Sequence, residues 1–164
     1  MKRTSRFHTA GRRFYFLCYT ILFLFLSVLI FSPFWWNGKS LIWKPDGLTQ
    51  HFNSLVYFRN WGLSVLRTLV TEHRLSVPLW DSTIGYGSDL LTTLHYYVIG
   101  DPLNLLYIFV PVKHTEIMYN FMILLRMFLA GAAFMAYGRK MNKNNFAVVL
   151  GALVYVFCGF TFRS

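Results

Sequence analysis

The chain has 164 residues, of which 55% are hydrophobic, 20% aromatic and 13% charged, and this mixture excludes an ordinary water-soluble globular domain. Its formal net charge is +10, but the basic residues are scattered or flank apolar runs instead of forming one basic face, so we expect no nucleic acid among its partners. Because a membrane crossing takes about 20 apolar residues, a chain of this length holds only a few crossings.

The charges are distributed unevenly along the chain. All six acidic residues fall between residues 35 and 116, where six basic residues balance them, so the net charge of +10 lies outside that segment. Short, positively charged loops stay on the cytoplasmic side of a membrane. The sequence therefore predicts an all-α, polytopic membrane protein with about three transmembrane helices, a cytoplasmic N-terminus and one large extracytoplasmic segment.

The basic flanks and the apolar runs define the predicted segments. A basic cytoplasmic N-terminus and an extracytoplasmic segment surround the first span, and a short cytoplasmic link separates the other two. The segments are a cytoplasmic N-terminus at 1–13, transmembrane helices at 14–34, 117–137 and 146–162, an extracytoplasmic segment at 35–116 and a cytoplasmic link at 138–145.

The first apolar run, "FYFLCYTILFLFLSVLIFSPF", is about as long as a membrane is thick. It ends in Trp35 and Trp36, and tryptophan prefers the headgroup level. A cleavable signal peptide is the alternative, but "SPFWWNGK" offers no A-x-A-like cleavage site. We therefore expect a permanent span.

The segment from Gly47 to about Arg74 contains no proline and has the period of an amphipathic helix. Its arginines, Arg67 and Arg74, share a face away from the apolar one. Two interpretations remain open: the helix lies at the outer interface and offers its arginines to lipid phosphates, or it packs on other helices with solvated arginines. The apolar face is formed by Leu55, Phe58, Leu66 and Leu69.

Two turn-rich stretches follow. In "LWDSTIGYGSDLL", Gly85 and Gly87 allow a tight loop. In "DPLNLLYIFVP", Asp101 is placed to cap a helix whose first residue is Pro102. This helix is too short to cross a membrane, so we predict that it is interfacial or re-entrant.

Two charged residues stand out against their apolar surroundings. Arg126 lies in the middle of the second long span, where a charge is costly; it clamps an anionic lipid headgroup or pairs with an acid of a neighbouring span. Asp46 follows the first span in Pro45-Asp46-Gly47, which favours a helix N-cap. A cap does not exclude a catalytic base, because one side of the carboxylate can still face a substrate.

The stretches "PDGLTQHF", "VPLWDSTIGYGSDLL" and "GDPLNLLYIFVP", after a basic N-terminus and a first span, resemble the start of the YfhO-like bacterial membrane proteins. The resemblance covers about residues 14–162. These proteins are similar in design to the C-class glycosyltransferases, multi-span enzymes that take sugars from polyprenyl-phosphate carriers on the outer face. The resemblance implies that the chain, which stops at "GFTFRS", is the N-terminal portion of a larger multi-span protein.

The resemblance also implies an activity and its residues. Asp46 matches the acid of the first outer loop that acts at the acceptor, so it is the expected catalytic residue. The expected partners are a polyprenyl-phosphate-linked sugar, a cell-envelope polymer such as a teichoic acid, and membrane lipid, in a bacterial cell membrane. We expect no cofactor and no metal. The expected substrate-binding residues are Gln50, His51, Arg59, Arg67, Asp89 and Arg126.

A non-enzymatic role is the competing interpretation. A subunit or transporter component for a lipid or polymer uses interrupted helices near the membrane midplane, and the stretch around Gly100-Asp101-Pro102 is a candidate for one. The same amphipathic helix and the same buried arginine serve either role.

Overall fold

The computed structural model describes residues 3–159, with side chains from Arg13 onward. The first two residues of the predicted cytoplasmic N-terminus and the last three of the predicted third span, 160–162, lie outside the described residues.

The described part of the chain is mostly helical, as predicted. Two segments are π-helical, at Gly47–Phe52 and His95–Ile99, and two are 3-10 helices, at Pro102–Phe109 and Val112–His114. The α-helices and strands are α1 (Arg3–Trp36), α2 (Asn53–Glu72), β1 (Trp80–Asp81), β2 (Ser88–Asp89), α3 (Leu90–Leu94), α4 (Thr115–Lys140) and α5 (Asn145–Val156).

Two helical stretches are long and apolar enough to cross a membrane. They are Arg13–Trp36, with 24 residues, and Val112–Lys140, with 29 residues, and they contain the spans predicted at 14–34 and 117–137. The first ends at Trp36, and two residues later Gly38 has a φ of 61°, the left-handed conformation that glycine adopts without strain. There the amide of Lys39 donates to the carbonyl of Phe34, which closes the helix end.

The third predicted span, 146–162, overlaps helix α5, which has 12 residues and begins at Asn145. The Asn144 side chain caps it by accepting a 2.9 Å hydrogen bond from the amide of Phe146. Because a full crossing takes about 20 residues, the described helix is shorter than a span.

The structure divides into two compact units, and the first comprises residues 1–39 and 123–164. Its core forms where Tyr19 meets α4: the ring stacks on Phe128 at 5.4 Å, and the hydroxyl donates a 2.9 Å hydrogen bond to the carbonyl of Phe128. Gly131 makes this approach possible, since a Cβ there would lie 2.0 Å from the Tyr19 hydroxyl oxygen. Small residues play this role at helix contacts within membranes.

The second unit comprises residues 40–122. Helix α2 packs on the 3-10 helix Pro102–Phe109, and Gly62 admits the side chain of Ile108, which a Cβ would meet at 2.7 Å. Leu55 and Phe58 are buried, as the amphipathic pattern predicts. The pattern fails near the end of the helix, where Leu69 is exposed.

The arginine face is also shorter than predicted. His73 takes a left-handed conformation with φ 50°, and α2 ends just before it at Glu72. Arg74 therefore lies beyond the helix and does not share its face with Arg67.

The tight loop predicted at Gly85 and Gly87 belongs to a small antiparallel hairpin. β1 pairs with β2 so that Trp80 faces Asp89. Gly85 and Gly87 have φ values of 61° and 106°, and a Cβ on Gly87 would lie 2.9 Å from the Trp80 ring. The glycines thus allow both the turn and the close approach of the Trp80 indole.

The capped short helix is confirmed. The Asp101 carboxylate accepts a 2.9 Å hydrogen bond from the amide of Leu103, and Pro102 is the first residue of the 3-10 helix Pro102–Phe109. At 8 residues, this helix is too short to cross a membrane.

Candidate functional site

The segment that carries Asp46 is fixed at its start by α4. The Asn120 side-chain oxygen accepts hydrogen bonds from the Ser40 hydroxyl at 3.0 Å and from the Leu41 amide at 2.9 Å. Further along, Trp43 lies on Gly47, where a Cβ would come within 2.7 Å of the indole. The chain just before and just after Asp46 is therefore held in place.

The Asp46 carboxylate does not cap the helix that follows it. Asp46 has φ −68° and ψ −36°, a helical conformation, and its side chain accepts no capping hydrogen bond. A capping residue needs extended dihedrals to turn its oxygen toward the first free amides. The N-cap role that the local sequence favoured is therefore wrong, because Asp46 already belongs to the helical path.

Instead, Asp46 is connected to other side chains. The Gln50 side-chain amide lies 3.5 Å from an Asp46 carboxylate oxygen, and the Gln50 oxygen accepts a 2.9 Å hydrogen bond from the Tyr97 hydroxyl. The His51 ring lies edge-on to Tyr97 at 5.2 Å and also contacts Tyr96 at 6.1 Å. Asp46, Gln50 and His51, which the sequence proposed as site residues, therefore converge with two tyrosines; we call these five residues the Asp46 cluster.

Both sides of the Asp46 cluster are π-helical. Gln50 and His51 lie in Gly47–Phe52, which runs directly into α2, and Tyr96 and Tyr97 lie in His95–Ile99, which continues α3. π-Helical turns are rare and occur frequently at functional sites. Gln50 and Tyr97, which share a hydrogen bond, therefore both lie in π-helical segments.

The arginines of α2 are not part of the Asp46 cluster. The helix is continuous from Gly47 to Glu72, so at 1.5 Å per residue Arg59 and Arg67 lie about 20 Å and about 30 Å from Asp46 along its axis. Arg59 donates from Nε to the Val110 carbonyl at 3.0 Å. Arg67 is exposed. The structure does not bring either arginine to Asp46.

Asp89 has a local role in the described structure. Its dihedrals are extended, with φ −71° and ψ 127°, and its carboxylate accepts a 2.8 Å hydrogen bond from the amide of Thr92. Asp89 is thus the N-cap of α3, in the conformation that Asp46 lacks.

Arg126, in the other unit, is half-buried within the membrane-length stretch Val112–Lys140.

A second polar pair was not among the predicted site residues. The Tyr57 hydroxyl donates a short hydrogen bond to the Asp81 carboxylate, which also accepts 2.7 Å hydrogen bonds from the amide and hydroxyl of Thr83. These hydrogen bonds hold the pKa of Asp81 below its usual value, and the bond from Tyr57 has the largest effect. Burial and the hydrogen bond to Asp81 raise the pKa of Tyr57 to about 12.

The Tyr57–Asp81 pair borders a cavity of about 250 Å³. No local motif marks this pair in the sequence, because Tyr57 and Asp81 are 24 positions apart. We name this space the aromatic cavity; the residues that line it include Tyr57, Asn60, Trp61, Ser64, Trp80 and Asp81.

The remaining observations concern metals and relatives. Among residues 3–159, no group of three or more His, Cys, Asp or Glu side chains is arranged to hold a metal ion.

No curated protein and no solved structure matches the chain. The sequence model of a family described as "Bacterial membrane protein YfhO" matches residues 18–163, nearly the whole chain. The chain therefore belongs to the YfhO family of bacterial membrane proteins, as the motifs around Asp46, Asp81 and Asp101 indicated.

Proposed function

We propose that this protein acts as a membrane glycosyltransferase, or as the part of one that holds its first outer loop. It moves a sugar from a polyprenyl-phosphate carrier to a cell-envelope polymer such as a teichoic acid. The reaction takes place on the outer face of a bacterial cell membrane. Family membership and the two membrane-length helices support the membrane setting.

The observation that carries the proposal is the state of the Asp46 carboxylate. It is half-buried and accepts no backbone capping bond, although it stands at the start of a helix. A carboxylate that is not needed by the backbone remains available to accept a proton from a bound hydroxyl. Gln50, which itself is positioned by Tyr97, contacts this carboxylate from one side.

The transfer step assigns one role to each group. A hydroxyl of the acceptor polymer gives its proton to Asp46 while its oxygen forms a bond to the anomeric carbon of the donor sugar. The bond between that carbon and the carrier's phosphate oxygen breaks, and the phosphate leaves with the electron pair. Asp46 then releases the proton to water, which restores the carboxylate.

The other predicted residues receive roles that fit their places. We propose that Gln50 orients the Asp46 carboxylate and that His51, flanked by Tyr96 and Tyr97, borders the acceptor. We propose that Arg126 binds an anionic phosphate of membrane lipid, since a guanidinium within a span serves a polar environment. Arg67 remains a candidate for lipid phosphates at the surface of α2.

The topology needed for this activity follows from charge. We propose that residues 1–13 and 138–145 are cytoplasmic because they are basic. The segment 35–116, which contains Asp46, is then extracytoplasmic. Under this proposal the chain is a multi-pass membrane protein.

A reconstitution experiment tests the proposed activity. The protein, expressed from its own gene, is placed in vesicles that contain a polyprenyl phosphate carrying a radiolabelled sugar, and teichoic acid is added outside. We expect label on the polymer and free polyprenyl phosphate in the membrane, in excess of protein-free vesicles. If intact labelled lipid instead moves between leaflets and the sugar–phosphate bond stays whole, the protein is a transporter component and the transferase proposal is wrong.

A further inference from the structure

The aromatic cavity lies apart from the residues assigned to sugar transfer, and its walls are formed by rings. Trp61 is held by a 3.0 Å hydrogen bond from its Nε1 to the carbonyl of Pro78, and Phe58 stacks on it at 5.6 Å. Trp80 is supported by the close approach of Gly87, yet 66% of its side chain is exposed. An indole that is fixed in place and still open to solvent is available to a ligand.

The electrostatic character of the aromatic cavity is negative. Asp81 borders it, and the hydrogen bonds from Tyr57 and Thr83 keep this carboxylate ionised at neutral pH. No Lys, Arg or His is found among the described residues that line the cavity. The π faces of Tyr57, Trp61 and Trp80 add to the negative potential, because the face of an aromatic ring is its negative side.

Three hydrogen-bond donors that line the aromatic cavity are engaged within the protein. The Tyr57 hydroxyl donates to Asp81, the Trp61 indole to Pro78, and the Ser64 hydroxyl to the Trp61 carbonyl at 2.7 Å. Their oxygen lone pairs and ring faces remain. The Asn60 side-chain oxygen accepts a 2.9 Å hydrogen bond from Arg59, which leaves the Asn60 amide and the Trp80 indole N–H as donors. The preference for a cation therefore rests on the Asp81 charge and on the ring faces.

The size of the aromatic cavity restricts the ligand further. Its volume of about 250 Å³ lies below the roughly 300–1,000 Å³ of pockets that enclose drug-sized molecules. It therefore suits a single small group and excludes an oligosaccharide or a whole lipid.

We propose that the aromatic cavity binds an alkylammonium group, with the cation against the rings of Trp61 and Trp80 and its charge directed to Asp81. Aromatic rings are the recurring recognition site for quaternary ammonium groups, and Asp81 adds a countercharge at this cavity. The group comes either from the headgroup of an amine-bearing lipid or from a free amine. This inference does not rest on the proposed glycosyl transfer, because none of its residues takes part in that step.

Fluorine NMR on the full chain labelled with fluorotryptophan tests the proposal directly. The protein has five tryptophans, of which Trp61 and Trp80 line the cavity, while Trp35, Trp36 and Trp43 report on the rest of the fold. We expect choline to shift the Trp61 and Trp80 signals and to leave the other three in place. Dimethylbutanol, the neutral carbon isostere of choline, should cause no such shift.

Two variants separate electrostatic recognition from general effects. Asp81→Asn should weaken choline binding about fivefold, the upper range for a partly exposed ion pair, while the signals of Trp35, Trp36 and Trp43 show that the fold is kept. Glu72→Gln, which changes an exposed acid at the end of α2, is the matched control and should leave binding unchanged. Trp80→Leu keeps the test valid if Asp81→Asn fails to fold, because Trp80 is mostly exposed, and it should also weaken binding.

The source of the ammonium group is resolved by adding vesicles. If phosphatidylethanolamine vesicles shift the Trp61 and Trp80 signals at a lower amine concentration than free ethanolamine does, the bound group belongs to a lipid headgroup. If free ethanolamine acts at the lower concentration, the bound group is a free amine. Equal shifts by choline and dimethylbutanol, or shifts by glucose without shifts by choline, would overturn the proposal. Unchanged choline affinity in a folded Asp81→Asn variant would overturn it as well.

Discussion

The Tyr97 hydroxyl donates a 2.9 Å hydrogen bond to the side-chain oxygen of Gln50, a residue 47 positions earlier in the sequence. Gln50 turns its other end, the amide nitrogen, toward Asp46 at 3.5 Å. Since an amide side chain has one acceptor end and one donor end, the bond from Tyr97 decides which end faces the carboxylate. Tyr97 thus acts on Asp46 through Gln50 and is a positioning residue.

The first prediction concerns this arrangement. Tyr97→Phe removes the donor, so Gln50 loses its preferred orientation and sugar transfer should fall about fivefold, the equivalent of one hydrogen bond of about 1 kcal/mol. The loss should appear in kcat, with protein level unchanged. The matched control is Tyr96→Phe, because the neighbouring Tyr96 is 75% exposed; equal losses in the two variants would contradict the positioning role.

The second prediction concerns topology. Ser82 is exposed in the hairpin between β1 and β2. In a background without Cys18 and Cys158, the two free cysteines, Ser82→Cys should react with an impermeant thiol reagent on intact cells. Asn142→Cys, in the basic link, should react only after lysis. Labelling of residue 82 that also requires lysis would refute the proposed orientation.

The third prediction concerns Arg126. Arg126→Leu should leave membrane insertion intact and reduce transfer roughly 10-fold or more, since a hydrogen bond to a charged group contributes about 1.5–3 kcal/mol. Arg126→Lys should recover part of the activity, because it keeps the charge but lacks the planar fork. Quantitative blotting of the membrane fraction beside the activity assay checks both. Full activity in Arg126→Leu would show that the charge is dispensable.

The fourth prediction concerns pH and the Tyr57–Asp81 bond. The pKa of Tyr57 is raised from 10.0 to about 12 in the fold, so its stabilising contribution is present below pH 10 and is lost as the pH rises toward 12. The pKa of Asp81 is lowered from 3.8, so its contribution is present above pH 3.8 and is lost as the pH falls below it.

Denaturation of wild type and Tyr57→Phe in detergent measures these contributions. Wild type should be the more stable protein near neutral pH, and the difference in free energy of unfolding should shrink both above pH 10 and below pH 3.8. Comparison with Tyr57→Phe cancels the titration of the other tyrosines. A difference that stays constant across both limits would contradict the assigned bond.

Sequence patterns were sufficient wherever a local signal determined the structure. The two membrane-length helices follow from long apolar runs, and the cap at Asp101 follows from an acid directly before Pro102. The pattern of α2 predicted the burial of Leu55 and Phe58. Each of these features depends on residues close together in the chain.

Sequence patterns failed where distant contacts or backbone dihedrals determine the structure. Asp46 and Asp89 both precede helices, but only Asp89 has the extended dihedrals of a cap, and no residue type reveals that difference. The hydrogen bonds of Tyr97 to Gln50 and of Tyr57 to Asp81 join residues that are 47 and 24 positions apart. They depend on how the helices pack, so the sequence alone did not reveal the aromatic cavity.

The measurement that tests the central claim most directly is the effect of Asp46→Asn on glycosylation of the envelope polymer, in cells that express the protein from its own gene. Asparagine keeps the size of the side chain and one acceptor oxygen but does not accept the acceptor's proton at neutral pH. We predict normal expression and insertion together with a loss of roughly 100-fold or more, the usual effect of removing a general base. Wild-type glycosylation in Asp46→Asn, with Asp46→Ala lowering only the protein level, would contradict the catalytic role of Asp46.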